Sequence, residues 1–370
     1  MTESISNQDK EKVKIFEDLD KEIIQEDLCC ACGACIAYCE SQSFDVIEFD
    51  GYTPKFKSEA NKDNCKECGL CYFICPQTET LEDLLNRHLN IQDEIGQIRD
   101  ILAAKTTQKQ IEELGQDGGI VTTALYHLFE KNKIDAAVVS KYDEKLHTHP
   151  TIIFDKEDLL ESAGTRYSIS TQLLPLKDLY SISQQVQEEK GIYDIEQLRI
   201  AFVGTPCQVK ALRKMQYLSV KPAHTIKYII SLFCFENFDY SKLYETIKEK
   251  EGIDPSEIKK SFIKGNFFIE TEDGTKSEIN IRDLDAAVRD HCRICDDFTG
   301  RYSDISVGST GAPEGYSMLL SRTEIGEELI NDLISQQYIK QYIHPRDKER
   351  NWKEERKKRF KKMISYKKSK

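Results

Sequence analysis

No apolar run in this sequence is long enough to cross a bilayer. The longest, Tyr228 to Phe235, spans eight residues with Ser231 inside it, whereas a membrane helix needs about 20. The opening stretch MTESISNQDKEKVK has no apolar core of the kind a secretory signal requires. Cytoplasmic residence is therefore the expectation. Positive charge is also short: 52 Lys and Arg stand against 64 Asp and Glu, a net charge of −12. That balance argues against a nucleic-acid partner, which demands a basic footprint. Neither the dinucleotide fingerprint GxGxxG nor a phosphate loop GxxxxGK with Ser or Thr occurs, which disfavours a plain nicotinamide dehydrogenase and an NTPase. Disorder is disfavoured too, because 39% of the 370 residues are apolar, enough for two or three domains at roughly 150 residues each.

What the sequence does hold is cysteine, thirteen in all. An odd count excludes complete disulfide pairing, and clustered cytoplasmic cysteines bind metal or do redox work more often than they bridge. Nine lie between residues 29 and 75. Cys29, Cys32, Cys35 and Cys39 have the spacing C-x2-C-x2-C-x3-C, and Cys65, Cys68, Cys71 and Cys75 repeat it, with Pro76 following. This is the spacing of a bacterial two-cluster ferredoxin. Three thiolates on a tight loop wrap one cubane, and the fourth points away to the other. One 4Fe–4S cluster is thus expected on Cys29, Cys32, Cys35 and Cys75, and a second on Cys65, Cys68, Cys71 and Cys39. Zinc knuckles are the competing reading, but zinc prefers ligand pairs to quartets. Between the runs, FDVIEFDGYTPKF alternates around Asp50-Gly51, a hairpin signal. Glu40 departs from the expected proline, and Cys30 is spare, an unligated neighbour.

Cys207, Cys234, Cys292 and Cys295 remain. Cys207 follows a strand over 199–203 and a helix entry with Thr205 as N-cap and Pro206 first in the helix. Cys234 ends the buried strand 228–233, and Cys292-x2-Cys295 precedes a strand at 304–307. Two of the four therefore fall at carboxyl ends of strands, where open α/β sheets build sites. By spacing alone they are a third cluster, buried free thiols, or a dithiol or half zinc site.

Strands and helices alternate over 116–330, which predicts an α/β body. Glycine-rich polar segments stand at Gly115–Gly119, before a helix; at Gly164–Ser168; and at Gly308–Gly315, after the strand at 304–307. Such turns present N–H groups to phosphate or to a flavin edge, or simply enter helices. The expected organisation is an N-terminal extension at 1–28 with a short helical stretch, a cluster module at 29–76, a helical connector at 77–105, a body at 106–335, and a basic tail at 336–370. From Arg346 onward thirteen Lys or Arg face four Asp or Glu, a net +9 that leaves −21 on residues 1–345. The tail reads either as solvated and frayed or as a dock for an acidic partner, anionic lipid or RNA.

VGTPCQVKALRKM (203–215), LFCFENF (232–238), CRICDDFTGRYSDISVGSTGAPEGYS (292–317), DGGIVTTAL and GTRYS resemble the coenzyme F420 hydrogenase/dehydrogenase beta-subunit family. With two clusters in front, the likeness is to the electron-input subunit of a reduced-F420 dehydrogenase. The resemblance implies an α/β (α+β) flavoprotein body behind a two-cluster ferredoxin-like module. It implies bound FAD, a third 4Fe–4S cluster on Cys207, Cys234, Cys292 and Cys295, and F420 as substrate. Reduced F420 would pass hydride to FAD, and single electrons would leave through the clusters to an electron-accepting protein complex, complex I-like and membrane-associated or soluble. The implied FAD contacts are Gln116, Gly118, Gly119 and Thr122; Gly164, Thr165, Arg166, Tyr167 and Ser168; Thr205 and Asn266; and Ser309, Gly311 and Gly315. Lys264 and Arg166 are the expected catalytic cations, placed against reduced flavin or the anionic tail of F420. The alternatives are an F420-reducing subunit of a hydrogenase or formate dehydrogenase, another flavin reductase of the superfamily, and a non-catalytic iron–sulfur relay.

Overall fold

The computed structural model describes residues 12–143, 146–182, 184–344 and 349–369. The extension before residue 12, and Arg346, Asp347, Lys348 and Lys370 of the basic segment, lie outside the described residues.

The body is organised by an eight-stranded mixed sheet. In chain order the strands of the molecule are β1 (Ile47–Asp50), β2 (Thr53–Phe56), β3 (Asp100–Thr106), β4 (Ala136–Tyr142), β5 (Thr148–Ile153), β6 (Ile200–Gly204), β7 (Ile226–Leu232), β8 (Ile258–Lys264), β9 (Asn266–Thr271), β10 (Lys276–Ile279), β11 (Ile305–Gly308), β12 (Ser317–Ser321) and β13 (Ile339–Gln341). The large sheet runs β13-β3-β12-β11-β7-β6-β4-β5, and β8–β10 form a separate three-stranded sheet. Its centre, β4-β6-β7-β11, is parallel, and both flanks are antiparallel.

The apolar composition of the central strands follows from burial on both faces. Successive side chains of a strand point to opposite sides. Ala136, Val138, Ile200, Phe202 and Ile229 accordingly enter one core, while Ala137, Val139, Ala201, Ile230 and Val307 enter another. Helices Ile120–Glu130 and Glu324–Ser335 cover the second face through Ala124, Leu125, Leu128, Leu329, Ile330 and Leu333. The first face is covered by helix Pro206–Tyr217 and by the cysteine module itself, whose Ile36, Ala37, Cys39 and Ile74 share one core with Leu173, Leu176 and Leu212. The module is therefore packed on the body. Polar ties help fix it: Leu173 N donates to Cys32 O at 2.8 Å, Arg289 Nη2 to Cys29 O at 3.0 Å, and the buried Lys214 Nζ to Thr78 O at 2.9 Å.

The β1–β2 hairpin forms as its alternation predicts. Two expectations fail. Residues 77–105 are not a helical connector: only Glu82–His88 is helical, and Asp100–Thr106 is a strand inside the large sheet. Leu102 and Ala104 face one core and Ile101 and Ala103 another, and that alternation was hidden by the leucines upstream. The basic segment is not a frayed tail either. Glu349–Lys368 is a helix, with Phe360 and Ile364 fully buried against Phe298, Met318 and Leu320.

Candidate functional site

The two cysteine runs wrap their turns through glycine. Gly33 (φ +85°) and Gly69 (φ +72°) take left-handed backbone just before helices Ala34–Ser41 and Leu70–Phe73, a conformation that costs glycine least. Cys35 and Cys39 ride the first helix, and Cys71 the second. A small cavity of about 20 Å³ is lined by Cys29, Cys32, Cys35 and Cys75 together. On the other side burial, then the charges of Cys68 and Cys65, push the Cys39 thiol up to about 12. Cys29, Cys32, Cys35 and Cys75 thus share one cavity, and Cys39 lies within the electrostatic reach of Cys65 and Cys68. Among the described residues, no three His, Cys, Asp or Glu side chains are gathered for a single metal ion. A cubane places one thiolate on each of its irons and spreads them over the cluster's width, a wider arrangement than a single ion takes.

Behind the module the carboxyl ends of β6, β7 and β11 open into a cleft of about 1290 Å³. Sites for one small ligand run to about 300–1,000 Å³, so this cleft has room for a cofactor and a substrate together. Its walls are the turn before helix Ile120–Glu130, the loop 164–168, the loop 308–317 and the tip of the β8–β9 hairpin. Gly119 takes φ +64° to start that helix, and a Cβ on Gly118 would meet Ala104 O at 2.5 Å. Tyr167 ties two walls, its hydroxyl receiving Gln116 Nε2 and Ile263 N, both at 3.0 Å.

Cys207, Cys234, Cys292 and Cys295 all line the inner end of this cleft. Local structure holds each in place. Cys207 sits in the first turn of helix Pro206–Tyr217, with Thr205 Oγ1 at 3.3 Å from its sulfur. Asn237 N donates to Cys292 Sγ at 3.3 Å. The turn after Cys295 is closed by Asp297, whose carboxylate takes Gly300 N at 2.7 Å and Arg301 N at 2.9 Å. All thirteen cysteines are free. Burial, then Cys207 and Cys295, push Cys234 up to about 12, against the pull of Lys367. Four thiols that resist ionisation at one end of the cleft form a donor set that a cationic cluster would relieve.

Lys367 belongs to that site. Its ammonium donates to Cys295 Sγ at 3.2 Å, Cys234 O at 2.9 Å and Asp297 O at 3.0 Å. Burial lowers its pKa, but Cys295 and Cys234 outweigh this and hold it above the ordinary lysine value. Burial, aided by Arg289 and Lys367, pushes His291 down to about 3, so it stays neutral.

A family model for the C terminus of the coenzyme F420 hydrogenase/dehydrogenase beta subunit matches residues 197–343, and its N-terminal companion matches 101–177. A 4Fe–4S dicluster domain matches 22–82. The F subunit of the F(420)H(2) dehydrogenase of Methanosarcina mazei is 32% identical over 314 residues, 83% of this chain and 82% of that protein. This chain belongs to the coenzyme F420 hydrogenase/dehydrogenase beta-subunit family. The coenzyme F420-dependent sulfite reductase of Methanocaldococcus jannaschii is 31% identical over 84% of this chain, which spans 46% of that enzyme. Among solved structures, a chain of the F420-reducing [NiFe] hydrogenase complex of Methanosarcina barkeri superposes with a TM-score of 0.61 at 26% identity, over 75% of this chain and 94% of that one.

Within this family frame most of the residues expected from sequence converge. Gln116, Gly119, Thr122, Gly164 through Ser168, Thr205, Lys264, Ser309, Gly311 and Gly315 all line the cleft. Two do not: Gly118 is packed behind the turn, its N–H on Ser317 Oγ at 3.0 Å, and Asn266 is engaged with Glu278 at 2.6 Å. Arg166 donates to the carbonyls of Glu161, Ala163 and Gly164, so its guanidinium chiefly shapes its own loop. Lys264 is exposed at the rim and paired with Glu314 at 2.8 Å. Cys30 is buried against Cys207 and Cys32, bridging module and cleft. Asp117, Lys260, Arg356, Arg359 and Lys367 also line the cleft and were not expected from the sequence. The missed signal was the spacing of Phe360, Ile364 and Lys367 on one helical face. Among the described residues, no helix is long and apolar enough to cross a membrane.

Proposed function

We propose that this chain oxidises reduced coenzyme F420 and delivers the electrons singly to a partner complex. The observation that carries this reading is the meeting, at one cleft, of three glycine-rich walls and four cysteines, with the cysteine module packed behind. A relay without catalysis has no use for a cleft of about 1290 Å³. The relatives named for F420H2 dehydrogenase and F420 hydrogenase support F420 as the substrate class.

The cleft fits FAD. Its volume suits a dinucleotide, and the buried Nε of Arg166 and Oδ1 of Asn237 have no protein partner there. The turn at Gln116–Gly119 and the loops 164–168 and 309–315 would hold it, with the N-terminus of helix Ile120–Glu130 offering N–H groups to phosphate. When bound, a flavin takes up a hydride and yields electrons one at a time, which a deazaflavin and an iron–sulfur cluster cannot exchange directly. The protein's own share is position and charge. Arg166 holds the 161–166 loop in shape. Lys260, Lys264, Arg356 and Arg359 place cations among the acidic residues that line the cleft, within reach of an anionic coenzyme tail. Cys207, Cys234, Cys292 and Cys295 would hold the third cluster. Cys30 touches Cys207 and belongs to the loop that carries Cys29 and Cys32, which gives electrons a short way from that site into the module.

The test is anaerobic oxidation of reduced F420 with an artificial one-electron acceptor, run beside NADH and NADPH. The expected outcome is turnover with reduced F420 alone, flavin absorbance near ~450 nm, and roughly twelve irons per chain, as three cubanes need. Flavin-free protein that does not oxidise reduced F420 would sink the proposal. Turnover only in the direction of F420 reduction would move the chain to the hydrogenase or formate dehydrogenase role.

A further inference from the structure

We infer that Lys367 is a built-in counter-charge for the four-cysteine site, carried there by a helix outside the family's matched domains. The matched region ends at residue 343, and the helix spans Glu349–Lys368. Phe360, Ile364 and Lys367 follow one another at helical spacing, so one face of the helix enters the body. Phe360 and Ile364 are fully buried. Phe360 packs edge-on to Phe233 at 5.4 Å, and Tyr366 stacks on Phe235 at 5.6 Å. Both partners flank Cys234 in the chain, so the helix is wedged against the segment that carries this cysteine.

The lysine is then placed with nothing to spare. An ammonium has three donors, and all three are used: on Cys295 Sγ, on the carbonyl of Cys234 and on the carbonyl of Asp297. Lys367 is only 3% exposed. A buried cation is costly unless negative charge faces it. Two carbonyls are dipoles, and a neutral thiol supplies no charge. Four thiolates around a cluster carry the charge that this position requires. A fixed positive charge beside a cluster favours its reduced, more negative state, so the lysine raises the reduction potential. This makes the site a better electron acceptor for its own cleft. The inference rests on the proposal that the four cysteines bind a cluster.

Redox titrations followed by EPR on the full-length protein test it, with Lys367→Arg, Lys367→Gln and Lys367→Met. Gln keeps a hydrogen-bond donor without charge, Arg keeps the charge, and Met removes both. The signal of the third cluster is expected to shift to lower potential in Gln and Met and to stay near the original in Arg. The signals of the two module clusters should not move, which also reports that each variant is folded. If Met fails to assemble the third cluster, Gln decides. A third-cluster potential in Gln equal to that of the unaltered protein overturns the inference. Unaltered protein with about eight irons and no third signal instead overturns the cluster assignment itself.

Discussion

The cysteine module and the cleft solve one problem in opposite ways. In the module, turns of a few residues present thiols outward, and Cys68 is exposed while its partner Cys71 is buried. In the cleft, three distant segments bring Cys207, Cys234 and the Cys292–Cys295 pair inward, with Cys292 buried, the other three half-buried, and a buried lysine against the Cys295 sulfur. Water can balance charge at an exposed thiolate such as Cys68, but the buried ammonium of Lys367 must be balanced by the protein and what it holds. The difference teaches where each site's properties reside: in the local loop for the module, and in the packing of the whole body for the cleft.

The comparison breaks most plainly under truncation. Removing residues 346–370 should expose the apolar seat of Phe360 and unseal the cleft, with iron falling from roughly twelve to about eight per chain. Retention of all the iron in the shortened protein would mean that the helix seals nothing. Cys292→Ser should likewise lose only the cleft's cluster and leave the reduced flavin without an outlet, whereas Cys68→Ser should keep that cluster and block only the later exit. EPR after addition of reduced F420 separates the two, because the third-cluster signal appears in Cys68→Ser and is missing in Cys292→Ser. Phe360→Ala, which empties a fully buried site, should lower stability by about 3–5 kcal/mol, read as an earlier unfolding midpoint of the body. Lys264→Ala should raise the apparent KM for F420 by a few-fold and leave the iron unchanged, since its exposed pair with Glu314 adds little stability. Unchanged KM and unchanged flavin reduction would remove its role.

The smallest effect concerns acid. Burial raises the Asp296 pKa, but Arg301 outweighs it and holds the carboxyl below its ordinary value. A depressed carboxylate contributes stability above the unfolded pKa, near ~3.9, and loses it as pH falls through the lower folded value. Thermal midpoints of Asp296→Asn should therefore trail those of the unaltered protein at neutral pH and converge with them below about pH 4. Equal midpoints across the range would show that the pair does not brace the Cys295 turn.

The module was legible in the sequence because its cysteines are spaced by local turn geometry, so a two-cluster domain could be read from Cys29 to Cys75 without a fold. The parallel strands at 200–204, 226–232 and 305–308 were legible from their apolar runs. The cleft was legible only in pieces: each glycine loop was visible, but nothing local told Gly118 and Asn266, which turn away, from Gly119 and Lys264, which line it. β3 was lost behind a leucine stripe. Lys367 was lost inside a run of like charges, because a lysine that enters a core is recognised by its acceptors, and those of Lys367 lie far back in the chain, the Cys295 sulfur 72 residues before it.

The placement of β3 orders events in time. Its hydrogen-bonded neighbours are β12 and β13, so Asp100 waits for Ser321 before this strand is paired. Pairings so distant in sequence form slowly. Every module cysteine has left the ribosome long before that closure, and Lys367 arrives after it. The chain order thus completes the module segment before the large sheet closes, and leaves the inner cleft open until helix Glu349–Lys368 settles over it.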